Sequence, residues 1–303
     1  MSSPFSGPWS DWTDLPDSCR TDPRTLAEIL DGGQAFRWQA GETAGHWTGQ
    51  WEQCLVRLRL NHDGRLQWCT PLVNGLPLCT REQVETYLGF DRDWEAIVDV
   101  LPWRSDPHLA RCLRDFPGLR ILGQPLSETL LGFLCSATKQ IVQIKQMMAL
   151  LARRHGVQFL PGVYRLPTWK EIAAASEKEL RACLLGFRAR YIHETAMFLT
   201  ANPGWLEETG RADYPVAKER LCQLPGVGEK VADCVLLYGG GKLEAFPVDV
   251  WILRTLELRY GLNGWKPAQL ASFGRIHFGR YAGVAQQFLF AWERRQKRTS
   301  KSV

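Results

Sequence analysis

The sequence predicts an α+β protein, with an antiparallel β-sheet in the first third of the chain and an all-α domain after it. Residues 54–60 (CLVRLRL) alternate apolar with polar or basic side chains, and the turn NHDG (61–64) leads into a second strand-like segment at 65–70. From about Ser127 onward, apolar residues recur three and four positions apart, as in amphipathic helices. We therefore expect a β-rich domain at 1–125, a helical domain at 126–295 and a basic disordered tail at 296–303.

The individual elements follow from start and stop signals along the chain. A short helix at 22–33 begins with Asp-Pro and ends with two glycines, and an aromatic strand follows at 45–51. The helical domain opens with two consecutive helices within 127–156, and the helix at 176–187 begins with a Ser-x-x-Glu capping box. Further helices are predicted at 80–90, 106–116, 214–224, 229–238, 249–260 and 281–295, and an irregular connector at 159–169.

The composition is that of a folded protein, with 45% hydrophobic and 23% charged residues among 303. No apolar run approaches the roughly 18 residues of a membrane span, and the N-terminus lacks the pattern of a secretion signal, so we expect a cytoplasmic protein without a membrane partner. The nine cysteines form no C-x-x-C pair, which favours reduced thiols and no metal. Of the net charge of +5, the last ten residues supply five basic and no acidic side chains. An anionic partner must therefore be recognised by local chemistry.

The segment LPGVG at 224–228 separates two predicted helices. Its glycines permit positive φ and close backbone approach, and the first N–H groups of the next helix have no partner within that helix. Gly226, Val227 and Gly228 can therefore hold an anion such as a DNA phosphate, directly or through a bound cation. The same residues also suit an ordinary connection between two helices.

Lys230 stands in the first turn of the helix after this segment. The helix dipole and the apolar neighbours Val227 and Cys234 disfavour an ammonium there, which favours the free amine as a nucleophile. Asp249 lies nineteen positions later at a predicted N-cap, and the GGGK turn at 239–242 can return it beside Lys230. Such a pair suits nucleophilic chemistry. The alternatives are a lysine that extends to solvent and an aspartate that only caps a helix.

Together, LPGVGEKVADC (224–234) and PVDV (247–250) resemble the helix-hairpin-helix glycine/proline-aspartate superfamily of DNA glycosylases, specifically the 8-oxoguanine DNA glycosylases. Four further segments resemble the family in the same order: GGQAFRW (32–38), FLCSATKQI (133–141), GFRARY (186–191) and YAGVAQQFLF (281–290). Six segments in order are far more specific than the hairpin alone. The resemblance implies a TBP-like antiparallel sheet domain followed by an all-α helix-hairpin-helix domain.

The resemblance also implies a function in base-excision repair. A family member acts on double-stranded DNA containing an oxidised purine: it flips out 8-oxoguanine, cleaves the N-glycosidic bond and nicks the strand by β-elimination. Lys230 would attack the sugar C1′ and form a Schiff base, while Asp249 would stabilise the positive charge on the sugar and assist proton transfer. No cofactor and no obligatory protein partner are implied, and family members usually act as monomers. In a bacterium, the enzyme would be associated with the nucleoid.

Base recognition can be carried over at four positions. Gly33 resembles the glycine whose carbonyl accepts a hydrogen bond from N7–H, a proton that 8-oxoguanine has and guanine lacks. Gln286 and Phe290 are four apart on one helix face, where the amide would read the Watson–Crick edge and the ring would stack on the base. Cys234 matches the family's pocket cysteine. Taken alone, Phe290 and Cys234 would suit simple packing.

The chain departs from the family where DNA is probed. Thr138 and Lys139 replace adjacent asparagines that contact the orphaned cytosine, and Gln143 replaces an arginine that reads it, whereas the companion arginine is retained as Arg188. We expect a relaxed preference for the opposite base. Trp251 replaces a phosphate-contacting histidine and either donates one uncharged hydrogen bond or packs. These changes affect specificity and leave Lys230 and Asp249 untouched.

Two other functions are compatible with parts of the sequence. A glycosylase for alkylated bases would share Asp249 but typically has no lysine at position 230. A non-catalytic DNA-binding protein would keep the hairpin for phosphate contact but would not require Lys230, Asp249, Gln286 and Phe290 together.

Overall fold

The N-terminal region is built on a five-stranded antiparallel sheet with the strand order β1-β5-β4-β3-β2. The computed structural model describes residues 5–16 and 20–299, with side chains to residue 296. The strands of the sheet are β1 (Thr13–Asp14), β2 (Trp38–Ala40), β3 (Trp47–Trp51), β4 (Cys54–Leu60) and β5 (Leu66–Cys69). Two separate hairpins pair β6 (Leu72–Val73) with β7 (Leu76–Pro77) and β8 (Gln158–Leu160) with β9 (Val163–Tyr164).

The helices divide between the two regions. Four belong to the N-terminal region: α1 (Pro23–Asp31), α2 (Arg81–Tyr87), α3 (Trp94–Val100) and α4 (Pro107–Asp115). The helical region contains α5 (Leu126–Ser136), α6 (Ile141–His155), α7 (Trp169–Ala174), α8 (Glu177–Leu180), α9 (Arg188–Ala201), α10 (Trp205–Arg211), α11 (Tyr214–Cys222), α12 (Glu229–Tyr238), α13 (Val250–Tyr260), α14 (Pro267–Phe278) and α15 (Ala282–Thr299). The predicted α+β architecture is thus confirmed.

The sheet buries one face more completely than the other. Val56 and Leu58 of β4 are fully buried, as their alternation with arginines predicts. On the opposite face, the guanidinium carbon of Arg57 lies 3.9 Å from the ring centre of Trp9, and Arg59 lies over Trp12 in the same way. This face is therefore partly covered by aromatic side chains of the N-terminal segment.

Several elements differ from the sequence prediction. Helices α3, α7, α9, α10 and α14 were not predicted, and β8 and β9 lie at the connector predicted to be irregular. The buried face of α9 includes Ala189, Thr195 and Ala196, small or polar residues that weaken the hydrophobic period. The helix predicted at 176–187 ends at Leu180 and continues as a π-helical turn, in which Leu184 has a φ of 64°.

One hydrophobic core runs through both regions, from Leu15 to Trp292. Helix α15 packs against α4 of the N-terminal region as well as against α13 and α14. It continues to Thr299, into the segment predicted to be disordered, and residues 300–303 lie outside the described residues. Within the described ranges, no helix is both long and apolar enough to cross a membrane. The packing of α15 brings residues from the two ends of the chain together.

Candidate active site

The turn between α11 and α12 presents backbone N–H groups at the start of α12. Gly226 has a φ of 77°, and a Cβ added there would lie 2.9 Å from atoms of Tyr191, so both the turn and the close approach require glycine. Val227 is buried, while Gly226 and Gly228 are exposed. Gly228 caps α12 without a side chain, so the first N–H groups of the helix remain available to an anion.

Lys230 is half-buried in the first turn of α12. Its Nζ lies 5.4 Å from the ring centre of Phe133, which is buried on α5. On Phe133, the ring of Tyr238 stacks at a centroid distance of 5.5 Å. The amine therefore lies within cation–π distance of the Phe133 ring, and the Lys230 residue is partly exposed to solvent.

Asp249 is the N-cap of α13. Its Oδ1 accepts hydrogen bonds from the backbone N–H groups of Trp251 and Ile252 at 3.0 and 2.9 Å, so Oδ2 takes part in neither bond. Burial raises the pKa of this carboxyl, whereas the two N–H groups and the positive charge of Lys230 lower it. The positive charge of Lys230 therefore acts on the carboxyl of Asp249.

Cys234 lies one turn after Lys230 on α12 and is 4% exposed. Burial raises the pKa of its thiol to about 11, against the opposing effect of Lys230. The thiol is therefore neutral near pH 7. Among the described residues, no group of histidine, cysteine and acidic side chains is arranged to hold a metal ion.

Gly33, which follows α1, lies close to Phe290 of α15, and Gln286 lies one turn before Phe290 on the same helix. A Cβ added to Gly33, whose φ is 111°, would lie 3.1 Å from Ile141 and 3.9 Å from the tip of Phe290. Nε2 of Gln286 donates to the carbonyl of Pro247 at 3.2 Å. Its Oε1 is buried and has no hydrogen-bond partner among the described residues. An acceptor in this condition favours a ligand that brings a donor.

The segment between α5 and α6 carries the predicted DNA-probing residues. Thr138 is exposed with a φ of 57°, Lys139 is half-buried, and Gln143 is exposed and accepts from the backbone of Gln140. Arg188 is only 3% exposed and donates to the carbonyls of Ala137 and Leu185 and to Oγ1 of Thr138. In this conformation Arg188 stabilises the turn at Thr138, whose φ is positive, through these hydrogen bonds. Its contact with DNA stays a prediction.

Three residues near the site were missed by the sequence reasoning. Phe133 was quoted only as part of the probing segment, although it lies under Lys230. Ile141 gave no signal, because its contact with Gly33 joins distant parts of the chain. Arg294 is counted in the sequence analysis only as one of the five basic residues among the last ten. It lies eight positions after Gln286 and four after Phe290, on the same helix face. Trp251, half-buried at the start of α13, keeps both interpretations of its indole.

Comparison with known proteins supplies a family context. Residues 19–130 match the family described as "8-oxoguanine DNA glycosylase, N-terminal domain", and residues 131–273 match the "HhH-GPD superfamily base excision DNA repair protein" family. The chain is 33% identical to N-glycosylase/DNA lyase OGG1 of Arabidopsis thaliana, over 89% of this chain and 77% of the relative. It is 31% identical to N-glycosylase/DNA lyase of Saccharomyces cerevisiae, over 80% of this chain and 69% of the relative.

A solved structure extends this similarity to the fold. It is the Clostridium acetobutylicum 8-oxoguanine glycosylase/lyase in complex with double-stranded DNA containing cytosine opposite 8-oxoguanine. The two folds agree with a TM-score of 0.82 at 26% identity, over 95% of this chain and 99% of the other. The similarity therefore covers the sheet region, the helical region and the packing between them.

Proposed function

The chain belongs to the 8-oxoguanine DNA glycosylase/lyase family of the helix-hairpin-helix superfamily, and we propose from this premise that it excises 8-oxoguanine from double-stranded DNA and cleaves the resulting site. The observation that carries the proposal is the electrostatic effect of Lys230, in the first turn of α12, on the buried carboxyl of Asp249 at the start of α13. A protein that only binds DNA has no use for an amine beside a desolvated carboxylate.

The chemistry of the proposal needs only these two side chains. The amine of Lys230 attacks C1′ as the bond from C1′ to the base nitrogen breaks, and the base leaves with the bonding electrons and takes up a proton. The carboxylate of Asp249 stabilises the positive charge on the sugar. The C1′–O4′ bond then breaks and the ring oxygen takes up the proton that leaves the lysine nitrogen, which opens the sugar and gives a Schiff base. Removal of a C2′ proton from this Schiff base expels the 3′ phosphate. No cofactor takes part in these steps.

Recognition of the base is proposed between Gly33 and Phe290, where the end of α1 approaches α15. A guanine-type base presents N1–H and N2–H donors on its Watson–Crick edge, and the buried Oε1 of Gln286 is an acceptor without a partner among the described residues. Phe290 would stack on the base, Cys234 would form a pocket wall, and the Gly33 carbonyl would accept the N7–H that distinguishes 8-oxoguanine. The amide orientation seen here fits this role, because Nε2 already donates to Pro247.

The DNA-facing residues support a weak preference for the opposite base. Thr138 already accepts a hydrogen bond from Arg188, and Gln143 caps α6 through Gln140. Lys139 and the N–H groups after Gly226 would contact phosphates, with Val227 and Gly228 in the same turn. The indole of Trp251 would either donate to a phosphate or pack. We further propose that the enzyme works as a monomer in the cytoplasm, on the nucleoid if the source is bacterial.

The decisive experiment is borohydride trapping on a duplex that contains 8-oxoguanine. Reduction should join the unsubstituted protein to DNA, Lys230→Gln should give no adduct, and Lys242→Gln, on the turn that follows α12, should trap normally. Repeating the assay with each of the four opposite bases measures the expected weak preference. Absence of an adduct with the unsubstituted protein would exclude the Schiff-base mechanism. An adduct with an alkylated base but not with 8-oxoguanine would favour the alternative glycosylase.

A further inference from the structure

Arg294 and Glu28 form a buried ion pair beside the base pocket. Nη1 of Arg294 lies 3.0 Å from Oε1 of Glu28, and the two side chains are only 8% and 10% exposed. The same nitrogen donates to the carbonyl of Gly32. These contacts join α1 to α15 across 266 positions of sequence. They fasten the last turn of α1 to the helix that carries Gln286 and Phe290.

On the α1 side, the contact fixes the peptide that leads into Gly33. Gly32 is the C-cap of α1, and a Cβ added there would lie 2.0 Å from the Glu28 carbonyl oxygen, so the turn closes only with glycine. The Gly32 carbonyl and the Gly33 N–H belong to one planar peptide unit. The guanidinium of Arg294 therefore fixes the orientation of this peptide plane, and the Gly33 carbonyl comes directly after it in the chain. Its charge also suits the C-terminal end of a helix.

On the α15 side, the same guanidinium contacts the stacking residue. Its Cζ lies 5.4 Å from the ring centre of Phe290, and Gln286, Phe290 and Arg294 follow one another at intervals of four on one helix face. Arg294 thus contacts both the Gly32 to Gly33 turn and the Phe290 ring, the two groups proposed to hold the base.

We propose that Arg294, held by Glu28, is a positioning residue that sets the separation and orientation of the Gly33 carbonyl and the Phe290 ring for the flipped base. This inference rests on the proposed function. Stability alone gives no reason for the pair, because apolar side chains of similar volume stabilise a buried contact equally well or better. A directional contact to a carbonyl is what an apolar pair cannot supply.

The test replaces both members of the pair, since removing Arg294 alone would leave the Glu28 carboxylate buried and unpaired. In Glu28→Leu/Arg294→Leu, single-turnover excision of 8-oxoguanine should fall about tenfold, the effect of one well-placed hydrogen bond. Strand cleavage at a preformed abasic site contains no base to position and should stay within about twofold. The charge of Arg294 also lowers the pKa of Asp249, so both rates are compared at a pH where they no longer change with pH. The single variant Arg294→Lys, which keeps a positive charge beside Glu28, should excise 8-oxoguanine faster than the double variant and more slowly than the unsubstituted protein.

A matched control exists on the next residue of α15. Arg295 pairs with Asp115 of α4, away from the pocket, so Asp115→Leu/Arg295→Leu should change neither rate selectively. Equal losses in both reactions of the first double variant would assign the pair a merely structural role, and unchanged excision would remove Arg294 from recognition. If the unsubstituted protein does not excise 8-oxoguanine, the proposed function itself fails, which is a separate result.

Discussion

Asp249→Asn separates the two roles that the structure gives to this carboxyl. As a cap, Asp249 uses only Oδ1, which accepts two N–H groups at 3.0 and 2.9 Å, and the amide oxygen of asparagine can accept both. As a catalytic group, the carboxylate supplies a negative charge that the amide lacks. We expect single-turnover excision of 8-oxoguanine to fall by about 10²- to 10³-fold, equivalent to about 3–4 kcal/mol of transition-state stabilisation.

The stability and pH dependence of the same variant give independent checks. Burial raises the pKa of Asp249 in the folded protein, so the folded state disfavours the carboxylate relative to the unfolded state, and this cost is present above the folded pKa. Neutral asparagine removes it, and the thermal midpoint near pH 7 should equal or exceed that of the unsubstituted protein. The acid limb of the excision rate should lie above the ordinary aspartate range near 4. Excision within threefold of normal, or a destabilisation as large as that of Asp249→Ala, would refute the assignment.

Three further predictions concern recognition, backbone strain and acid stability. Gln286→Leu should lower 8-oxoguanine excision by about tenfold and leave cleavage of abasic DNA unchanged, because the amide oxygen without a partner is the atom proposed to contact the base, which abasic DNA lacks; parallel kinetics on both substrates would decide. Gly226→Ala should lower the free energy of unfolding in urea by about 1–2 kcal/mol, since φ is 77° and Tyr191 is 2.9 Å away, whereas Gly228→Ala, with open space and negative φ, should cost less. Burial lowers the pKa of His108 from 6.5 to about 4 in the folded protein. Between these two pH values His108 is protonated in the unfolded state but neutral in the folded state. The free energy of unfolding should therefore fall by about 2 kcal/mol as pH drops through this window, after allowance for solvent screening of a half-buried ring, and His108→Gln should flatten the profile.

Local signals were sufficient for the elements that carry the reaction. Helix α12 coincides with the predicted helix at 229–238, because a glycine turn precedes it and a glycine run follows it. Asp249 caps α13 as the Pro-Val-Asp sequence predicts. Both signals lie within a few residues of the element they specify, so composition and spacing alone reveal them.

Contacts between distant segments could not be obtained in this way. The family resemblance predicts that Arg188 contacts DNA, but its guanidinium is buried. It donates to the carbonyls of Ala137 and Leu185 and to Oγ1 of Thr138. Arg294 begins a run of basic residues that reads as a solvated end, yet it is 7% exposed because Glu28 and Gly32 of α1 accept its donors. Burial of a charge depends on partners that only the folded chain supplies.

The two halves of the proposed reaction therefore depend on different kinds of structure. Lys230 and Asp249 are nineteen positions apart and both lie in the helical region, so their alignment depends on the packing of that region alone. Gly33 and Phe290, by contrast, belong to different regions, and the described contact that joins α1 to α15 is the pair of Arg294 with Glu28. A moderate loosening of the contact between the regions should accordingly impair discrimination of 8-oxoguanine from guanine before it impairs cleavage at abasic sites. Mild urea below the unfolding transition, applied to the unsubstituted protein, should reproduce this order, and simultaneous loss of both reactions would show that base recognition and catalysis form one cooperative unit.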